Sequence, residues 1–137
     1  MTVERVNPPS VHSPSDQISQ VVTVDGTRLA YVSGQVAWDE HGSPVGLGDH
    51  GAQAARIARN LDAALAGVGA TRDDIVEETV HVVGYTPELL PAILGPLRAG
   101  VATAPASTLV GVSALFAPEY LVEVKVIAAL PVRGSHD

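Results

Sequence analysis

The sequence predicts one sheet with two helices on a single face, its elements in the order β-β-α-β-α-β-β. Three observations predict it. The final run alternates Val122, Val124, Val126 and Ala128 with Leu121, Glu123, Lys125 and Ile127, the period of two that belongs to a strand. From Gly51 to Val68 the apolar residues recur at three- and four-residue spacing instead, the stripe of an amphipathic helix. Between that helix and a second helical segment lies DIVEETVHVVG, a strand from about Ile75 to Val83.

In chain order, residues 1–16 are polar and rich in proline (Pro8, Pro9, Pro14) and read as an extended arm. QISQVVTV, from Gln17, reads as a strand, Asp25-Gly26 as a hairpin turn, and Arg28 to Val36 as the returning strand. WDEHGSPVGLGDHG is a loop dense in Gly, Asp and Pro. Asp49 is placed to cap the first helix, whose stripe is Ala54, Ile57, Ala58, Leu61, Ala64, Leu65 and Val68; Gly67 or Gly69 stops it. Thr86-Pro87 opens the second helix, roughly Pro87 to Val101. Pro91, Gly95 and Pro96 lie inside it, and each interior proline removes a backbone donor, so a kinked or shortened helix is expected. A strand from Pro105 and the alternating run complete a single domain over residues 17–130, with PVRGSHD as a loose tail.

Two helices cover only one face of such a sheet. The other is expected to carry Ser107, Leu109, Gly111 and Ser113 from one strand and Leu121, Glu123, Lys125 and Ile127 from the other. Leu109, Leu121 and Ile127 would then be left in water in a lone protomer. A face of that kind is covered by copies of the same chain, most simply in a closed ring.

The 137 residues suffice for a core without staples, and the hydrophobic fraction of 46% excludes disorder. A net charge of −7, with only eight Lys and Arg, argues against a nucleic-acid surface. The absence of cysteine excludes disulfides, thiolate catalysis and Cys-bound metal. No segment reaches membrane-spanning length, so a cytoplasmic protein with no membrane partner is expected.

Glu123 is the first candidate for chemistry. A carboxylate in an apolar run is costly unless paired or solvated, and one at a cleft can serve as general base or orient water. The competing reading is an ion pair with Lys125 or with a neighbouring protomer's cation. His81 shares its face with Glu77, Thr79 and Val83 and could exchange protons near neutral pH, or simply line a wet interface between copies. Ser107 could hydrogen-bond a ligand, since alternation sends it toward the cleft and Thr108 toward the helices. Asp39, His41, Asp49 and His50 lack regular metal-ligand spacing and read as a solvated loop. Gly46-Leu47-Gly48 lacks the Gly-Lys-Ser/Thr context of a phosphate loop, and Trp38 and Tyr31 are too few to stack bases.

Five stretches then carry a resemblance: YVSGQV at Tyr31–Val36, GDHGAQAARIARNLDAAL at Gly48–Leu65, GATRDDIVEETVHVVGYT at Gly69–Thr86, PASTLVGVSAL at Pro105–Leu115 and LVEVKVIA at Leu121–Ala128. Together they resemble the Rid (YjgF) family of reactive-intermediate deaminases, also labelled L-PSP endoribonucleases. The resemblance implies a chorismate-mutase-like α+β protomer and a homotrimer with a central β-barrel and small-molecule clefts between protomers. Archetypal members hydrolyse 2-imino acids to 2-keto acids and ammonia without metal or cofactor. Transferred by position, the water-handling glutamate is Glu123, and the serine-glycine corner beside the cleft is Ser33 and Gly34. The deaminating branch's carboxylate-gripping arginine falls at Ser107, its tyrosine at Ile18 and its asparagine at about Ala92. A guanidinium clamps a carboxylate with two charge-assisted bonds, and a serine offers one neutral donor. The implied activity is therefore imine or enamine hydrolysis, or tautomerisation, on a ligand other than 2-iminopropanoate. Arg98 or Arg28 of an adjacent protomer could stand in for the missing cation. The alternative is a trimeric binding or structural protein without catalysis.

Overall fold

The computed structural model describes residues 1–13 and 16–133. Its strands are β1 (Thr2–Val6), β2 (Val21–Asp25), β3 (Thr27–Gln35), β4 (Ile75–Val83), β5 (Ala106–Val112) and β6 (Val122–Pro131); its helices are α1 (His50–Ala66) and α2 (Leu90–Arg98). A four-stranded sheet runs β3-β6-β4-β5, with β6 antiparallel to both neighbours and β5 parallel to β4. The fold is α+β, two helices on a mixed sheet. The steps β3 to β4 and β4 to β5 move in the same direction across it. Crossovers between parallel strands are almost always right-handed, so both helices land on one face.

That face holds the core. Ile57, Leu61 and Leu65 of α1 and Ile93 and Leu97 of α2 pack on Val80, Val82, Val122, Val124, Val126 and Ala128. Each fully buried Val, Leu or Ile contributes about 1.5–3 kcal/mol. Asp49 caps α1 by accepting from the Ala52 N–H at 2.9 Å. Gln53, fully buried in α1, donates to the Gly46 and Glu119 carbonyls and accepts from the Leu121 N–H, tying two loops to the helix. The expected irregularity of the second helix takes a definite form. Pro87–Leu89 is a 3₁₀ turn, the α-helix starts at Leu90, and Pro96 lies inside it. Thr86 precedes that turn without a side-chain capping bond.

Three expectations need correction. Asp25-Gly26 is not a hairpin: β2 pairs with β1 and β3 with β6, and Gly26, at φ 61°, bends the chain from one sheet to the other. The first strand begins at Val21, not Gln17. Its partner β1 comes from the expected arm, where alternation in TVERV turns Val3 and Arg5 inward, and Arg5 donates to the carbonyls of Asp73 and Ala104.

The third correction concerns β5. The parallel register pairs Glu78 with Ser107, Thr79 with Thr108 and Val80 with Leu109. Paired residues share a face, so Ser107, Leu109 and Gly111 lie on the helix-covered side, and Leu109 packs on the core instead of facing water. Thr108 and Val110 take the bare side. Ser113 follows the strand and is exposed. Leu121, just before β6, also touches the core. The bare face is real nonetheless: Tyr31 is 70% exposed, Leu29 43% and Val110 39%. Of the predicted tail, residues 134–137 lie outside the described residues, and β6 runs on to Pro131.

Candidate functional site

On the bare face, Glu123 of β6 and His81 of β4 are direct antiparallel partners, which sets their Cβ atoms about 4.5–5.5 Å apart. A bulge in β3 brings the third member. Val32 pairs with Val126 and Gln35 with Val124, so Ser33 and Gly34 together oppose a single residue of β6. The Glu123 carboxylate lies directly on Gly34: a Cβ built there would fall 2.0 Å from Oε2 and 2.8 Å from Cδ. Only glycine leaves room for the carboxylate in this position. The Ser33 carbonyl accepts from Gln35 Nε2 at 3.0 Å, while its side chain faces outward.

Among the described residues Glu123 forms no ion pair with Lys125 or any other cation. The pairing along its own strand is therefore absent within one chain. His81 Nδ1 is sealed from solvent and has no hydrogen-bond partner. Buried polar atoms are nearly always satisfied, so this nitrogen stands out among the polar atoms of the described residues. A half-buried carboxylate beside an imidazole can take a proton from water and pass one on.

A second cluster forms where residues 18–20 pass the start of β5. Ser19 fixes that crossing: its N–H donates to the Pro105 carbonyl at 2.9 Å and its Oγ to the Ala104 carbonyl at 2.6 Å. The result is an open cleft of about 360 Å³ lined by Ile18, Glu77, Glu78, Thr79, Ser107 and Thr108 among others. Ile18 and Ser107, far apart in sequence, do meet here. Ala92 does not join them; it lies on α2 beside Gly51 of α1.

Ser107 is engaged. Its Oγ donates to Glu78 Oε1 at 2.7 Å. Arg98, at the end of α2, holds the same carboxylate with both terminal nitrogens, at 2.5 Å to Oε1 and 3.1 Å to Oε2. Arg98 Nε is fixed by the Gln17 carbonyl at 2.6 Å. Glu78 is 2% exposed and the Arg98 side chain 10%. Arg98 is thus bound within its own chain, as is Arg28, whose Nε donates to the Pro131 carbonyl. Sequence reasoning missed Glu78. The available signal was its parity, which sets it with Val76, Val80 and Val82 on the apolar face of β4.

The loop residues have structural tasks. Asp39 accepts from the N–H groups of Ser43 and His41, both at 2.9 Å, and these bonds hold its carboxyl below the ordinary 3.8. His50 Nε2 lies 2.7 Å from the Val83 carbonyl. Among the described residues no three His, Cys, Asp or Glu side chains are grouped to hold a metal. Nor is any helix long and apolar enough to cross a membrane. A further groove of about 420 Å³ between α1 and the Trp38 loop went unnoticed in the sequence. Its Arg56 and Asn60 side chains both donate to the Trp38 carbonyl.

Residues 10–130 match the family model described as Endoribonuclease L-PSP. The chain belongs to the Rid (YjgF) family. A solved protein of the conserved Rid family, YyfB from Yersinia pestis, of unknown function, is 34% identical over 95% of this chain and all of its own, at a TM-score of 0.87. YyfA from the same organism, also of unknown function, is 27% identical over 94% of this chain and all of its own, at 0.65. Yeast Mmf1, 24% identical over 94% of this chain and 99% of its own, shares the fold at 0.65. No curated protein matches the chain.

Proposed function

We propose that this Rid-family chain works as a homotrimer with a central barrel and hydrolyses a small imine or enamine, or tautomerises a related metabolite, at clefts between protomers. The observation that carries this reading is the Glu123 carboxylate seated on Gly34 beside His81, on the face the helices leave bare. Two further features support it. Exposed Tyr31, Leu29 and Val110 need cover, and copies of the same face supply it. Ser107 and Glu123 also project from opposite sides of the sheet, so a ligand touching both would draw them from neighbouring copies.

In the hydrolysis, Glu123 accepts a proton from water as the oxygen adds to the imine carbon. His81 relays that proton to the nitrogen, the carbinol O–H then gives up the second proton to it, and as the carbon–nitrogen bond breaks ammonia leaves and the carbonyl forms. 2-Iminopropanoate is a poor fit, because its carboxylate meets a serine already bonded to a glutamate.

The test joins light scattering with an imine-hydrolysis assay over a panel of imines. Three copies are expected, and Glu123→Gln is expected to lower turnover by at least about 100-fold, the usual share of a general base. A stable monomer would remove the seam. Equal turnover by Glu123→Gln and the native protein would remove Glu123 from the reaction, and no turnover by either beside ligand-induced thermal stabilisation would leave the non-catalytic binding reading in its place.

A further inference from the structure

A glutamate among the buried valines of β4 invites the question of what it replaces. Glu78 sits in line with Val80 and Val82, both 0% exposed. A charge there is costly unless every lone pair is used. Its partners form a complete receptor for a carboxylate. A guanidinium meets both oxygens in parallel, a serine hydroxyl meets one of them, and a backbone carbonyl holds the guanidinium in place. The receptor is no sealed core feature, because Glu78 and Ser107 both line the open cleft beside Ile18.

We propose that Arg98 and Ser107 are an anion receptor bordering the ligand cleft, which Ser107 lines and Arg98 does not, and that the chain keeps it filled with its own Glu78. Glu78 is then a specificity-determining residue. It stands where a ligand's carboxylate would bind and, with Glu77 on the same cleft, repels another anion. The substrate class of the proposed reaction narrows to imines or enamines without a carboxylate, held by uncharged hydrogen-bonding groups. This rests on the reading of the cleft as the ligand site.

The experiment removes the resident group and offers a free one. Glu78→Ala leaves a space the size of a small carboxylate, facing an unpaired Arg98. Acetate is titrated against chloride at constant ionic strength while the thermal midpoint is followed. For Glu78→Ala a saturable rise is expected, on the order of 10 °C at about 100 times the dissociation constant. Neither the native protein nor Glu78→Ala/Arg98→Gln should show it. No acetate response in Glu78→Ala, or an equal response in the double variant, overturns the proposal. Should Glu78→Ala not fold alone, recovery in acetate but not chloride supports the receptor, and recovery in neither overturns it. The readout needs no turnover, so a catalytically silent Glu123 would leave it intact.

Discussion

Glu78 and Glu123 lie on neighbouring strands of one sheet and face opposite ways. On the helix-covered side Glu78 is 2% exposed and bonded by Arg98 and Ser107. On the bare side Glu123 rests against the backbone of Gly34 and, among the described residues, forms no ion pair. The first carboxylate is committed to the fold. The second is held in position with no cation on it, and it is the one the proposed reaction uses. On the proposed reading, folding energy and proton transfer separate onto the two faces of the sheet, and substitutions should separate the same way.

The largest expected effect is Glu78→Ala on stability. Removing one partner of a buried pair leaves Arg98 uncompensated, at a cost of about 3–5 kcal/mol in denaturant unfolding. Replacing both, as in Glu78→Leu/Arg98→Met, should recover most of that loss. A loss below about 1 kcal/mol in the single variant, the worth of an exposed pair, would erase the contrast.

Gly34→Ala sharpens the other side. The added Cβ would collide with Glu123 Oε2 at 2.0 Å, but that oxygen ends a flexible side chain that can swing away. The expected loss of stability is under about 1 kcal/mol, in the range of ordinary substitutions, whereas turnover should fall nearly as far as in Glu123→Gln. If activity survives, the placement of the carboxylate over the bulge is irrelevant to the reaction.

His81→Phe is subtler. An unsatisfied buried nitrogen costs about 1–3 kcal/mol, so an apolar ring should stabilise the protomer by about 1 kcal/mol. The measurement is made on dissociated protomers at low concentration, then repeated on the assembly. A destabilised assembly beside a stabilised protomer would show that the imidazole contributes to the contact between copies.

Much of this was legible in the residues. The limits of β4, Ile75–Val83, follow from its alternation, and α1 follows from its stripe and from Asp49. Glu123 was legible because a charge interrupts an apolar run. The orientation of β5 was not. Ser107-Thr108 and Leu109-Val110 are pairs of near-equal polarity, so alternation shows a strand without showing which side is covered. Only pairing with β4 decides it. Glu78 hid in the doublet Glu77-Glu78, one side chain outward and one inward, with Arg98 in another element. β1 was obscured by Pro8 and Pro9, which make the whole arm read as loose.

Asp39 completes the series as a carboxylate that is bonded but only partly buried, and it carries the smallest effect. The N–H of Ser43, then that of His41, favours its charged form; the charges of His41 and Arg56 add to this, and slight desolvation opposes it. Its folded pKa is lowered, so the contribution to stability is present above the ordinary 3.8 and is lost as pH falls through the lower folded value. A carbon-13 titration of the Asp39 carboxyl should give a midpoint below 3.8. Asp39→Asn retains an oxygen for both N–H groups and should keep the loop while removing its acid sensitivity. A midpoint at or above the ordinary value would mean that the turn from Asp39 to Ser43 opens in solution, and that hydrogen bonds without full burial do not hold a carboxylate in this fold.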